Sequence, residues 1–224
     1  MSSLAERYAT VKAALPPHVT LVAVSKTRSV DEIKALYDLG QRHFGENYPQ
    51  ELREKAPLLP SDIRWHFIGH LQRSNVKHVL PHAHLIHGVD SVRLLDEIQK
   101  RAIPLGRTVD VLLQVHIAQE ESKHGFAPDE VRQLVLHGED PAHRWPDVRV
   151  RGLMGMATNT DDIGQVSAEF RSLHALFTEL RTGGPFPAEQ FNVLSMGMSG
   201  DARQAIAAGS TMVRIGTALF GERA

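Results

Sequence analysis

The chain has 224 residues, enough for one large domain or two small ones, either with a full hydrophobic core. With 42% hydrophobic and 23% charged residues, its composition excludes disordered and fibrous proteins. A formal net charge of −1 provides no overall basic field for nucleic acid or anionic lipid, and the absence of cysteine excludes disulfides, thiolate nucleophiles and zinc sites with sulfur ligands.

The first predicted element is a polar helix near the N-terminus. Ser3 and Glu6 have the spacing of a capping box, and apolar residues recur at helical spacing from Leu4 until Pro16 and Pro17 end the helix. This segment lacks the apolar core of a signal peptide, and no later apolar run reaches the roughly 18 residues of a membrane span. We therefore expect a cytoplasmic protein without a membrane partner.

The next segment predicts a strand followed by a helix. Residues 19–26 (VTLVAVSK) form an apolar run that is continuous rather than alternating, which is typical of a parallel strand buried on both faces. Ser29 and Glu32 then form a second capping box, and Gly40 stands where a helix would end.

The same pattern recurs to the end of the chain, with the clearest helices in 91–102, 166–180 and 201–209. An open doubly wound sheet is the alternative fold, but no glycine-rich dinucleotide turn follows the first strand. We predict an α/β fold with one domain over 1–224, a (β/α)8 TIM-type barrel with an extra N-terminal helix. The predicted strands are 19–26, 42–47, 64–69, 84–90, 109–117, 148–156, 192–198 and 211–221.

Lys26 is the most informative candidate for chemistry. It is one of seven lysines, and it closes a fully apolar strand at the rim where barrels place their functional sites. Partial desolvation there disfavours the ammonium form, and a neutral amine can condense with a carbonyl to give a Schiff base. The alternative is a lysine whose charged end merely reaches solvent at the rim.

Two segments near the C-terminal end of the chain predict an anion-binding site. Residues 195–201 (SMGMSGD) lead into a predicted helix, so small residues and backbone N–H groups are available there. The other half of the predicted anion site comes from Arg214, Gly216 and Thr217, because barrels commonly bind phosphate in the loops after strands seven and eight. Either loop alone is also compatible with an ordinary turn. Together with Lys26, they predict a site for a phosphorylated aldehyde or ketone, and pyridoxal 5′-phosphate (PLP) and an aldolase sugar both fit.

Other predicted strand ends bring Glu46, Asn47, His66 and His70 toward the same mouth. The chain has 13 histidines, and His66 with His70, or the histidines in 82–87, have ligand spacing, but no recognised metal motif accompanies them. We therefore predict no metal. The absence of G-x-S-x-G disfavours a serine nucleophile, and arginines scattered among acidic neighbours predict a solvated surface without nucleic acid.

Eight segments of the chain resemble the sequence motifs of one protein family, and the last two are the most specific to it. They are AVSKT (23–27), FGEN (44–47), WHFIGHLQ (65–72), IHGVDS (86–91), LLQVHIAQEESKHGF (112–126), RGLM (151–154), LSMGMSGD (194–201) and AIAAGSTMVRIGTALFG (205–221). On these segments the chain resembles the pyridoxal-phosphate homeostasis protein family from about residue 19 to its end. The resemblance implies a PLP-binding barrel similar to the N-terminal domain of alanine racemase.

The resemblance also assigns nine residues to the cofactor. Lys26 corresponds to the lysine that forms the internal aldimine, and Arg214 looks like the arginine that faces the pyridine nitrogen. The other implied contacts are Ser199, Gly200, Gly216 and Thr217 at the phosphate, Asn47 near the ring, and Ser195 and Met154 farther out.

The family chemistry still leaves a carrier and an enzyme as alternatives. An arginine at the pyridine nitrogen opposes its protonation and weakens PLP as an electron sink. The second domain of the racemase is not expected after strand eight, and Tyr48 is the only tyrosine near the predicted mouth. We expect a monomeric PLP carrier or buffer, non-catalytic or weakly catalytic, that holds PLP as an aldimine and exchanges it with PLP-dependent apo-enzymes or amines. The alternatives are a racemase-like PLP enzyme acting on amino acids and a cofactor-free aldolase.

Overall fold

Eight parallel strands follow one another in chain order around a closed barrel, which confirms the predicted (β/α)8 architecture and excludes the open sheet. The coordinates are a computed structural model that describes residues 2–120 and 124–221. The strands are β1 (Thr20–Val24), β2 (His43–Glu46), β3 (Arg64–Phe67), β4 (Ala83–Val89), β5 (Val109–Val115), β6 (Val148–Gly155), β7 (Val193–Ser195) and β8 (Met212–Ile215).

Helices connect the strands and surround the barrel. They are α1 (Leu4–Ala13), α2 (Val30–Asp38), α3 (Pro49–Lys55), α4 (Val76–Val79), α5 (Val92–Ala102), α6 (Pro128–Arg132), α7 (Pro141–Arg144), α8 (Ile163–Gly183), α9 (Ala202–Ala207) and α10 (Thr217–Phe220). Short 3-10 turns cover Ala56–Leu58, Arg73–Asn75 and Ile103–Leu105, and a π-helical turn covers Gln133–His137.

The two predicted capping boxes are present. The Ser3 side chain accepts a hydrogen bond from Glu6 N, and the Glu6 carboxylate accepts one from Ser3 N. Ser29 and Glu32 make the same reciprocal pair at the start of α2. Gly40 adopts φ +100°, the left-handed conformation in which glycine commonly follows a helix. These local signals therefore fix the start of both helices and the end of the second.

The predicted eighth strand is too long. Residues 211–221 were expected to continue as one strand, but β8 ends at Ile215 and the apolar residues of Thr217–Phe220 form the short helix α10. α10 packs against α1, where Arg7 Nε donates to Leu219 O at 2.6 Å. A four-residue apolar run fits a buried helical turn as well as a strand, so its periodicity could not distinguish them.

The barrel interior has an apolar and a polar part. Val22, Leu85, Leu112, Met154 and Met212 form a small apolar cluster, separate from the main core. Buried polar side chains from β3, β4, β7 and β8 fill the remaining interior; they are His66, His87, Ser195 and Arg214. Neutral or charged polar groups at such positions require hydrogen-bond partners inside the barrel.

The seams, the lines along which neighbouring strands are paired, differ in length. β5 and β6 are paired through seven residue positions, whereas β7 and β8 share one register pair, Ser195 with Met212. Side-chain hydrogen bonds supplement this short seam, because Ser210 Oγ lies within hydrogen-bond distance of Leu194 O, Met196 O and Met212 O. At the neighbouring seam Gly152 has φ +146°, and a Cβ there would lie 1.8 Å from Val193 O. A side chain at position 152 is therefore incompatible with the pairing of β6 and β7.

Within the described residues, no helix is long and apolar enough to cross a membrane.

Candidate functional site

Lys26 lies two residues beyond the end of β1, on the wall of a pocket of about 250 Å³. This pocket is at the carboxyl ends of β1, β7 and β8, the face on which barrels place their functional groups. Six of the nine predicted cofactor residues line it. The lining residues are Val24, Lys26, Arg28, Met198, Ser199, Gly200, Arg214, Gly216 and Thr217.

The backbone beside Lys26 is held in an unusual conformation. Thr27 has φ +65°, a left-handed conformation that β-branched residues rarely adopt. Thr27 N donates to Glu51 Oε2 at 2.7 Å, so α3 holds this turn in place. The strained turn sets the direction in which the chain leaves β1 and thereby fixes the position of Lys26 at the rim.

The loops after β7 and β8 provide an anion-binding corner. Ser199 and Gly200 come from the first loop, and Gly216 and Thr217 begin the turn into α10. A Cβ at Gly200 would meet no atom within 4 Å, so its backbone borders open space. No hydrogen bond in the described part of the chain involves Ser199 N or Gly200 N. These N–H groups and the exposed Thr217 hydroxyl are available to a ligand.

Arg214 forms the floor of the pocket and is 4% exposed. Nη1 donates to Ser195 O at 2.9 Å and to Ser195 Oγ at 2.7 Å, and Nη2 donates to Gly155 O at 3.1 Å. Burial lowers the pKa of the guanidinium to about 10, an effect that Asp201 opposes. Arg214 is therefore a rigid cation at neutral pH.

The other three predicted contacts lie outside the lining of this pocket. Ser195 is fully buried beneath Arg214, and Met154 belongs to the apolar cluster inside the barrel. Asn47 follows β2, and its buried Oδ1 has no hydrogen-bond partner among the described residues. Their roles toward a cofactor stay predictions.

Glu46 does not reach the mouth, contrary to the expectation from its strand end. Its carboxylate is fully buried, where Oε1 accepts from Ser25 Oγ at 2.7 Å and from Lys55 Nζ at 3.0 Å. Lys55 also binds Glu51 Oε2 at 2.5 Å. Burial raises the pKa of Glu46 to about 7, although Lys55 acts in the opposite direction. This ion-pair cluster joins β2 to α3 and is a structural feature.

His66 is also absent from the mouth, because it points into the barrel. It is fully buried and hydrogen-bonded to His43 and His87. His43, the third member of this group, was not predicted. A histidine inside each of three successive apolar strands was the available signal, but strand patterns alone do not reveal which side chains meet inside a barrel.

His70 does lie at the rim, in a cluster with Asp90 and His124, side chains of types that can ligate a metal ion. Its Nδ1 is 3.1 Å from Asp90 Oδ2, and its ring stacks on His124 with centroids 4.0 Å apart. One ligand atom from each of these residues lies within 4.8 Å of the others. The cluster borders a more open pocket of about 490 Å³, whose described lining contains no lysine. Tyr48, 52% exposed, lines neither pocket.

Comparison with known proteins gives consistent results. The profile of the alanine racemase N-terminal domain matches residues 1–224. The pyridoxal phosphate homeostasis protein of Haemophilus influenzae is 39% identical over 208 residues, which cover 92% of this chain and 85% of that protein. The human protein of the same name is 42% identical over 215 residues, covering 91% of this chain and 76% of its own length.

Solved structures show the same similarity. PipY of Synechococcus elongatus PCC7942 without PLP has a TM-score of 0.90 at 36% identity, covering 98% of this chain and 100% of PipY. PipY with PLP bound has a TM-score of 0.86 at 35% identity and the same coverage. Alanine racemase of Bartonella henselae, at 17% identity and a TM-score of 0.74, shares the fold over 98% of this chain and 58% of its own. The sequence identity to these relatives, the matching domain profile and the shared barrel show that this chain belongs to the pyridoxal phosphate homeostasis protein family, with the fold of the alanine racemase N-terminal domain.

Proposed function

We propose that this chain binds PLP in the pocket of Lys26 and holds it as a carrier or buffer that supplies PLP-dependent apo-enzymes. The composition of the pocket carries the proposal. Its lining has one lysine, two arginines, two apolar residues and four small or hydroxyl residues, and no histidine, tyrosine or carboxylate in the described part of the chain. The name of the curated relatives and the PLP bound to PipY support this function.

The donors in the pocket fit the parts of PLP. The aldehyde of PLP condenses with an amine and releases water, and Lys26 supplies the amine. Ser199, Gly200, Gly216 and Thr217 would hold the phosphate by hydroxyl and backbone N–H groups. Arg214 would face the pyridine nitrogen, with Asn47, Met154 and Ser195 as surrounding residues. The positive charges of Arg28 and Arg214 at this pocket also suit a ligand that carries a phosphate dianion.

The same composition favours storage over turnover. Arg214 is a donor without acceptor capacity, so a ring nitrogen facing it accepts a hydrogen bond and stays unprotonated. Catalysis on amino acids also needs groups that move protons at the substrate carbon, usually on both faces of the cofactor. Lys26 is the single side chain of the described lining with that capacity at neutral pH.

The first test is the site of attachment. The purified protein, incubated with PLP, should absorb visible light, and borohydride should bleach the band and leave a pyridoxyl mass on Lys26. Lys26→Ala should lose the band while Lys34→Ala, which removes an exposed lysine paired with Asp38, should keep it. A pyridoxyl group on any other lysine would contradict the assignment.

The phosphate corner has its own test. Thr217→Val keeps the shape of the side chain but removes one hydrogen bond to a charged group, so the Kd for PLP should rise by about 10-fold or more. Pyridoxal without phosphate should bind wild type and variant equally. Unchanged PLP affinity in Thr217→Val would place the phosphate elsewhere.

Carrier and enzyme are separated by transfer and turnover measurements. The PLP-loaded protein should reactivate an apo-enzyme that depends on PLP, without racemising or transaminating amino acids itself. Turnover of any amino acid at about 1 to 1000 s⁻¹, the range typical of enzymes, would instead support the racemase-like alternative.

A further inference from the structure

A continuous line of side chains crosses the barrel interior from Arg214 to the opposite end. Ser195 Oγ, which accepts from Arg214 Nη1, is 3.0 Å from His87 Nδ1. His87 Nε2 is 2.8 Å from His66 Nδ1, and His66 Nε2 is 2.8 Å from His43 Nδ1. We call Ser195, His87, His66 and His43 the interior chain. It links β7, β4, β3 and β2 to the floor of the pocket on β8.

The histidines of the interior chain are uncharged. His66 and His87 have no exposed surface, and burial, reinforced by neighbouring positive groups, lowers the pKa of both well below the usual value. Half-buried His43 has its pKa lowered to about 4, again chiefly by burial. A second cation inside the barrel beside Arg214 would be costly, so each imidazole carries one N–H and one acceptor nitrogen.

Arg214 and the need of the Ser195 hydroxyl proton for an acceptor together give one direction to the hydrogen bonds of the chain. A guanidinium has five N–H donors and cannot accept, so Ser195 Oγ must accept from it. The described contacts of that hydroxyl leave His87 Nδ1 as the acceptor for its proton. His87 then donates from Nε2 to His66 Nδ1, and His66 donates from Nε2 to His43 Nδ1. One consistent tautomer, Nε2–H, follows for all three rings.

We propose that the interior chain positions Arg214 as a fixed hydrogen-bond donor toward the ligand pocket. Three of the five guanidinium N–H groups bind Ser195 and Gly155 O, which leaves two without a protein acceptor within the described residues. The one-way order of donors prevents Ser195 from rotating its hydroxyl proton toward the pocket. For the PLP function proposed above, on which this role rests, Ser195, His87 and His66 maintain the unprotonated state of the pyridine nitrogen.

The chain also explains why polar residues occupy a barrel interior that apolar residues could fill. Every polar atom along it finds a partner at 2.7–3.0 Å, so burial leaves no orphaned group between Arg214 and His43. The chain ends at His43, which lines a pocket of about 150 Å³ at the amino-terminal end of the barrel with His84, Asp110 and Arg151. The last donor, His43 Nε2–H, therefore belongs to that end.

The direction of the hydrogen bonds can be tested in the ligand-free protein by measuring which ring nitrogen of each histidine carries the proton. Long-range ¹H–¹⁵N NMR correlations should show a protonated Nε2 and a bare Nδ1 for His43, His66 and His87 at neutral pH. Ser195→Ala should release this bias, so that the His87 signals shift toward a mixture of tautomers. Nδ1–H tautomers or imidazolium forms in the wild type would contradict the proposal.

A matched pair of serine variants tests the effect on the ligand. Ser195→Ala should raise the Kd for PLP by about 10-fold and shift the absorbance of the bound cofactor, because Arg214 loses an acceptor. Ser210 is equally buried and hydrogen-bonded to backbone carbonyls of the same seam. Ser210→Ala should lower stability comparably and leave affinity and spectrum unchanged. Equal effects of both variants on affinity and spectrum would overturn the positioning role.

The two proposals fail separately in these experiments. A wild-type protein that binds no PLP contradicts the proposed function, whereas the NMR result still decides the direction of the chain. Conversely, PLP bound to Lys26 together with unaltered spectra in Ser195→Ala contradicts the interior chain alone.

Discussion

Thr27 shows how one residue stores strain beside the site. It is the one non-glycine residue of the described chain with a positive φ, and its N–H is tied to Glu51. The left-handed conformation costs an ordinary residue about 1–2 kcal/mol, whereas glycine adopts it freely. The strain is tolerated next to Lys26, the residue whose direction matters most for the pocket.

Replacing Thr27 with glycine should therefore stabilise the protein. Relief of strain outweighs the added freedom of the unfolded chain, so Thr27→Gly should raise the free energy of unfolding by about 1 kcal/mol and Tm by about 2–4 °C. The same change at Thr10, inside α1, should lower Tm because no strain is relieved there. Calorimetry measures both, and a decrease in Thr27→Gly would show that the Thr27 side chain contributes more than its conformation costs.

At the scale of elements, the buried cluster of Glu46 and Lys55 joins β2 to α3. Lys55 Nζ also donates to Ser25 O at 3.0 Å, so the cluster reaches the segment just after β1. α3 in turn supplies Glu51 to Thr27. α3, which was not predicted from the sequence, is thus the helix that holds the turn at Lys26 and Thr27 in place.

The raised pKa of Glu46 makes the contribution of this cluster to folding stability depend on pH. Because the folded-state pKa of about 7 exceeds the usual 4.5, the contribution of Glu46 to stability is fully present below pH 4.5 and is lost as pH rises through 7. Glu46→Gln cannot ionise, so its stability relative to wild type should increase over this window by up to about 3 kcal/mol.

Urea unfolding at several pH values measures this difference. Glu51→Gln, which removes the other carboxylate bound to Lys55, is the matched control and should not gain stability as pH rises. A Glu46→Gln difference independent of pH would mean that Glu46 is ionised in the fold throughout.

At the scale of the whole molecule, the interior chain makes the barrel sensitive to acid. His66 and His87 have folded-state pKa values well below 6.5, so the unfolded chain binds more protons below that pH and stability falls as pH falls. The two rings together contribute a slope of up to about 3 kcal/mol per pH unit, and half-exposed His43 adds a smaller part.

Urea midpoints should fall as pH is lowered from 6.5 to 4.5, but by less than this slope, because Glu46 acts in the opposite sense over the same window. His43→Gln should reduce it modestly, and substitution of exposed His143 should leave it unchanged. A flat profile in Glu46→Gln, which lacks the opposing contribution, would indicate that the buried rings are protonated in the fold. Since Glu46 acts in the opposite sense, wild-type stability should pass through a maximum near neutrality.

Much of the architecture could be predicted because continuous apolar strands and capping boxes are local signals. Lys26, Ser199, Gly200, Arg214, Gly216 and Thr217 were predicted to meet, and they do, because parallel strands bring their ends to one rim. Glu46 and His66 were misplaced, since whether a strand residue faces the helices or the barrel interior depends on strand tilt and stagger. The sequence pattern does not contain that geometry.

The short seam between β7 and β8 has a consequence for the dynamics of the barrel. Besides one register pair it has three backbone hydrogen bonds, from Thr211 N to Leu194 O, Met196 N to Met212 O and Arg214 N to Gly197 O, whereas β5 and β6 are paired through seven positions. Amide protons at this shorter seam should therefore exchange more readily with solvent than those between β5 and β6. Ser199 and Gly200 lie on one side of this seam and Gly216 and Thr217 on the other. An anion bound by both loops would therefore link β7 to β8 and slow amide hydrogen exchange in both strands. The exchange rate of this seam would then report whether the pocket is occupied.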